Sequence, residues 1–110
     1  MDINHEYVDV EDALKRIGNN MSLYKRLLQK FSGEDHLKPL EKALKTGATE
    51  EASRLIHSLK GVAANLSLKK LSTAASELEQ KVIHGLDHSD TFAEIKQIYY
   101  ITSDEIAKVY

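Results

Sequence analysis

Apolar residues return at three- and four-residue spacing along almost the whole chain, and no stretch shows the apolar/polar alternation of a half-buried strand. A chain patterned in this way has to bury stripes of helix against one another. After Asp9, a candidate N-cap, Val10, Ala13, Leu14 and Ile17 mark a short first helix that stops at Gly18. Asn20 or Ser22 can cap a second, with Met21, Tyr24, Leu28 and Phe31 on one stripe. Pro39 lacks an N–H and disfavours helical geometry at Lys38, so a kink or break is expected there before Leu37, Leu40 and Leu44 resume the spacing to Gly47. Thr49, followed by Glu50 and Glu51, reads as the cap of the next helix. Ser67 reads as the start of another, carried by Leu68, Leu71, Ala75, Leu78 and Val82 to near Gly85. Thr91 to Glu94 has the form of a capping box ahead of a last long helix with Phe92, Ile95, Tyr99, Ile106 and Val109 inward. Short connections make neighbours antiparallel. The expected architecture is all-α, an up-down antiparallel four-helix bundle with a short extra N-terminal helix.

At 110 residues the chain suits one domain, residues 1–110, and is too short for a two-lobed cofactor enzyme. A net charge of -2 gives no general attraction to nucleic acid or to an anionic membrane surface. With no cysteine there is no disulfide framework and no thiolate chemistry. No apolar run approaches the roughly 20 residues of a membrane span. A soluble, cytoplasmic protein without direct membrane insertion is expected.

The segment from Ala52 to Ser67, ASRLIHSLKGVAANLS, contains a glycine in what is otherwise a good amphipathic helix, and glycine there costs roughly 1 kcal/mol against alanine. On a helical wheel Ala52, Leu55, Ile56, Leu59, Ala63 and Leu66 gather on the core side. Nearly opposite lie Glu50, Ser53, His57, Lys60, Gly61 and Ala64, which puts His57 in solvent among small neighbours. Small residues in water do nothing for a core, but they let another protein's backbone come close. The plain alternative is an ordinary surface histidine beside a tolerated glycine. The wheel leaves both open.

The segment HSLKGVAANLS resembles the signature of the histidine-containing phosphotransfer (HPt) domain, H-x-x-K-G followed by small residues and an Asn before the turn. Upstream, ALKRIGNNMSLYKRLLQKF is similar to the family's N-terminal helix and the helix after it. ALKTGATEEASRLIH is similar to the approach to the phosphorylated histidine, and Leu71, Ala75, Leu78 and Glu79 fit the helix that follows. The resemblance runs from about Asp9 to Glu79. It implies that His57 is the phosphoryl acceptor, carrying the group on Nε2, that Lys60 supports the phosphoryl oxygens, and that Gly61, with Ala64 beyond it, leaves room for the partner. Ser67 departs from the glycine usual in the family, and as an N-cap it would change the turn modestly. Val62 is bulkier than the usual residue at its position.

Physical chemistry points the same way. Free histidine has a pKa near 6.5, so an exposed imidazole is largely neutral near pH 7 and offers a ring lone pair to phosphorus. Lys60, one turn along, adds a mobile positive charge that disfavours imidazolium. Phosphoryl transfer needs in-line positioning and charge neutralisation, usually with Mg²⁺, yet no acidic cluster around His57 and no glycine-rich ATP loop can be read in the chain. A partner has to complete the reaction. By resemblance it is a response-regulator receiver domain, which supplies an aspartate and the Mg²⁺ site; this chain itself binds no cofactor. The domain would carry phosphate between a hybrid sensor histidine kinase and a response regulator, as a monomer, without ATP-dependent kinase activity of its own.

Arg54, Lys69 and Lys70 either face an acidic receiver or are plain solvated residues. His84 and His88 stand at i, i+4, but Gly85 and Asp87 place them in a loop, and His5 and His36 have no evident partners. Tyr99 and Tyr100 read as core and rim. Two other functions stay open. One is a helical interaction module that has lost phosphotransfer, set against the presence of both His57 and Lys60; the other is an enzyme or metal protein on a bundle, set against inward positions that read as apolar.

Overall fold

The computed structural model describes residues 3–109, which form six helices and no strand. They are α1 (Val10–Arg16), α2 (Met21–Ser32), α3 (Lys38–Lys45), α4 (Thr49–Asn65), α5 (Lys69–Ile83) and α6 (Ser89–Ala107). The chain folds back on itself in sequence order, α3 on α4, α4 on α5 and α5 on α6, while α2 packs against α6 and α1 against α2. The apolar stripes meet in one core whose fully buried members include Tyr24, Leu28, Leu40, Ile56, Leu68, Leu71, Leu78, Ile95 and Ile106. Burying each aliphatic side chain contributes about 1.5–3 kcal/mol.

The caps explain where these helices begin and end. Asp9 accepts from the Asp12 N–H, and Asn20 accepts from the Leu23 N–H, so both are side-chain N-caps. Pro39 breaks the chain cleanly: it sits in the first turn of α3, where its missing N–H is not needed, and Asp35 accepts from the N–H groups of Leu37 and Lys38. Three expected boundaries move. Ala48, not Thr49, is the N-cap of α4, and the Thr49 hydroxyl turns back to the Gly47 carbonyl. The last helix starts at Ser89, whose N–H is taken by Asp87, so Thr91 is a buried residue inside α6 and not a cap.

The third correction is Ser67. It does not cap α5, whose N-cap is Leu68 with no side-chain bond. Ser67 instead ends α4 in the left-handed region, φ +56°, with its N–H on the Ala64 carbonyl and the Leu68 N–H on Ala63, a Schellman arrangement. This is the conformation glycine adopts without penalty, and Gly47 and Gly85 play that part after α3 and α5. A serine is held there from α1. Its hydroxyl donates to Asp12 Oδ2 at 2.7 Å and accepts from Arg16, and its carbonyl accepts from the Asp9 N–H at 3.0 Å. Arg16 also donates to the Ala64 carbonyl and Tyr24 Oη to the Leu66 carbonyl, each at 2.7 Å. Carbonyls at the end of α4 that lack a helical partner are thus satisfied from the N-terminal segment and the first two helices.

Left-handed backbone costs a residue with a Cβ about 1–2 kcal/mol. Ser67→Gly is therefore expected to be more stable than Ser67→Ala by about 1 kcal/mol, as read from paired urea melts, although both lose the hydroxyl.

Candidate functional site

The candidate face is the side of α4 turned away from its packing partners. Ala52, Ile56, Leu59 and Ala63 are buried, and Leu55 is half-buried. The His57 side chain is 76% exposed, and Glu50, Gly61 and Ala64 are exposed along the same side. A Cβ built on Gly61 meets nothing within 4 Å, so no contact inside the molecule requires glycine there. The bare surface beside His57 is explained by nothing the fold needs. Ala64 is in the open as well, with its carbonyl taken by Arg16. Val62, at the edge of the core, lines a groove with Leu27 and Asn65.

Lys60 departs from the wheel in an informative way. It is half-buried and reaches across to α5, where its Nζ donates to Glu79 Oε1 at 2.7 Å. The other oxygen of the same carboxylate lies 3.2 Å from His57 Nδ1. Glu79 is thus the bridge between the two, and the imidazole does not stand clear of its surroundings as expected from α4 alone. Hydrogen bonding from Lys60, then from His57, holds the Glu79 carboxyl below the usual carboxylate range, against the opposing effect of burial. An ionised carboxylate only accepts, so Nδ1 is the protonated nitrogen of neutral His57 and Nε2 carries the free lone pair. The ring is oriented by one nitrogen and nucleophilic at the other.

Glu79 was absent from the sequence-based site. Its signal was a carboxylate at core spacing, four residues after Ala75 and three before Val82, in a helix otherwise apolar inward. Such a group is rarely buried without a cation, and two candidate cations lie on α4. The inward positions are therefore not wholly apolar.

The remaining candidates are engaged elsewhere. Arg54 pairs with Glu51, Lys69 with Asp9 at 2.9 Å, and Lys70 approaches Glu6 at 3.9 Å, which fits solvated residues better than a face reserved for a partner. His84 is the C-cap of α5 with its Nδ1 on the Gln80 carbonyl, and His88 is the N-cap of α6, so the two do not share a helix. His36 does have partners: it stacks on Phe31 with centroids 4.5 Å apart and bonds the Phe31 carbonyl. Tyr99 is buried and Tyr100 exposed. Among the described residues no group of three or more His, Cys, Asp or Glu side chains could hold a metal ion.

A family model described as the Hpt domain matches residues 26–103, more than half of the chain. No curated protein and no solved structure matches it.

Two outcomes follow from this geometry. Gly61→Leu should fold at least as well as the wild type, gaining up to about 0.8 kcal/mol of helix propensity in urea melts, while losing any reaction that needs a partner against this face. Because Glu79 is held below its ordinary value of 4.5, its contribution to stability is present above that pH and lost as the pH falls through the lower folded value. The difference in melting temperature between wild type and Glu79→Gln should therefore shrink as melts are taken from pH 6 down to pH 3.

Proposed function

The chain belongs to the Hpt domain family, whose role is histidine phosphotransfer in phosphorelay signalling, and on that footing we propose that it carries a phosphoryl group on Nε2 of His57 between receiver-domain aspartates. The supporting observation is the state of the ring. His57 is exposed, bonded at Nδ1 and free at Nε2, beside a glycine that nothing in the fold requires. A nucleophile oriented in that way, on a surface others can approach, suits transfer between proteins.

In the forward step Nε2 attacks the phosphorus of a receiver's aspartyl phosphate. The new N–P bond forms as the P–O bond breaks, and that electron pair returns to the aspartate. Lys60 spends one N–H on Glu79 and has two more donors for phosphoryl oxygens. Mg²⁺ belongs to the receiver in this reading, which leaves the chain to supply the nucleophile, one cation and a close approach.

The same reading takes residues 1–110 as one domain, an up-down antiparallel four-helix bundle with α1 as the short extra N-terminal helix. It places the protein in the cytoplasm as a monomer, between a hybrid sensor histidine kinase and a response regulator, without kinase activity of its own. No described helix is long and apolar enough to cross a membrane.

The test uses the protein, its His57→Gln variant and a panel of phosphorylated receiver domains with Mg²⁺. Acid-labile, base-stable phosphate is expected on the wild type and reduced at least 100-fold on His57→Gln, whose melting curve should stay close to wild type because the site is exposed. Equal labelling of the two proteins would refute the assignment, and labelling of neither by any receiver would favour a binding module that has lost the chemistry.

A further inference from the structure

The reversal between α4 and α5 has the wrong charges for its own helix ends. A helix C-terminus favours cations and an N-terminus anions. Yet α4 has no basic residue in its last turn, and α5 opens on Lys69 and Lys70 with no acid in its first turn and no side-chain bond at its N-cap. Accepting the reading of His57 as phosphoryl acceptor, on which this rests, we infer that Asp9, Asp12 and Arg16 are positioning residues of the transfer: they form a clasp that supplies both helix ends with the groups they lack and holds α4 and α5 in the alignment that orients His57.

The groups supplied match what is missing. Arg16, in the last turn of α1, brings a guanidinium to the end of α4 and donates to the Ala64 carbonyl at 2.7 Å. Asp12 holds that guanidinium at 2.9 Å and accepts from the Ser67 hydroxyl with the same oxygen. At the start of α5 the Glu6 carbonyl takes the Lys70 N–H at 3.0 Å, a first-turn donor with no helical partner. Asp9 sets one carboxylate oxygen 2.9 Å from the Lys69 ammonium, while the other caps α1. The hydrogen bond from Lys69 holds Asp9 below the usual carboxylate range, and that from Ser67 does the same for Asp12, so the clasp is charged at neutral pH. Val8, fully buried between these contacts, anchors the segment. Each partly exposed pair alone contributes little. Their effect comes from joining three segments at one turn.

Ser67 gives the clasp its work. A left-handed residue with a Cβ favours fraying of the turn, whereas glycine would hold it unaided. Loosening there lets α5 rotate against α4, and a small rotation parts Glu79 from His57 Nδ1, now 3.2 Å away. An imidazole without that partner shares its proton between both nitrogens, so fewer molecules present a free Nε2 in the attacking orientation.

The test compares wild type with Arg16→Gln, Arg16→Lys, Arg16→Gln combined with Ser67→Gly, and Ile95→Val, a core change in α6 that loosens the fold away from the reversal. All are labelled with ¹⁵N in histidine and measured where circular dichroism shows them folded. One readout is the Nδ1–H share of the His57 tautomers, from ¹⁵N shifts at alkaline pH; the other is the rate of transfer from a phosphorylated receiver domain. Arg16→Gln should lower the Nδ1–H share and slow transfer about tenfold. Arg16→Lys should fall between it and the wild type, since an ammonium keeps the charge but not the fork. Adding Ser67→Gly to Arg16→Gln should restore most of the lost rate, because glycine removes the strain the clasp opposes. Ile95→Val should leave both readouts unchanged, which a merely stabilising role of Arg16 would not predict. The inference is overturned if Arg16→Gln matches the wild type, or if Ile95→Val moves the readouts as far as Arg16→Gln does. Should Arg16→Gln not fold, an Arg16→Lys variant indistinguishable from wild type overturns it equally. If the wild type never accepts phosphate, the acceptor reading falls, and the clasp then stands or falls by the tautomer share alone.

Discussion

Everything at the functional face depends on the register between α4 and α5. Glu79 reaches both His57 and Lys60 only because the reversal after Asn65 brings the third turn of α5 alongside the middle of α4. A slip of one residue would swing the carboxylate about 100° around its helix, away from both His57 and Lys60. The register is fixed by apolar packing along the two helices, where Ile56, Leu59 and Ala63 of α4 and Leu71, Ala75 and Leu78 of α5 are buried in one core, and by the tight left-handed turn at Ser67. A buried acid within that interface also acts against alternatives, since any other register strands it without a cation.

The site then combines two opposed demands. A phosphoryl carrier has to present its nucleophile to bulky partners, which calls for exposure, and has to orient it, which calls for contacts. The structure separates these by atom: the ring is anchored at Nδ1 from below by a nearly buried group and is open at Nε2. Gly61 has the same logic at the level of the backbone. A helix-interior glycine with empty space where its Cβ would stand weakens the helix and relieves no clash, so no contact within the fold accounts for it.

How much of this could be read from residues alone follows from the range of each interaction. Helices α1 to α6 were visible because their periodicity is local, and Asp9 and Asn20 were visible as caps because an N-cap acts within three residues. Thr49, Ser67 and Thr91 misled because a hydroxyl near a helix start can bond several groups: Thr49 turns back to the Gly47 carbonyl two residues away, Ser67 is held by α1 far along the chain, and Thr91 is buried inside α6. His57 and Gly61 could be placed on an open face from the wheel of a single helix. The Glu79 bridge could not, because it joins positions 22 and 19 residues apart and exists only once two helices are in register. The stacking of His36 on Phe31 near Tyr99 was hidden in the same way.

The clasp of α1 on the end of α4 separates two boundaries that are easily taken as one. The match to the family model begins at residue 26, within α2. The groups that hold the α4–α5 reversal, the Asp9 N–H, the Asp12 carboxylate and the Arg16 guanidinium, all lie before that point. A piece cut at the edge of the likeness would keep His57, Lys60, Gly61 and Glu79 and lose what supports the turn that aligns them. The unit that must be inherited intact is therefore longer than the segment the family model matches, and α1, outside that match, is tied to the alignment on which the site depends.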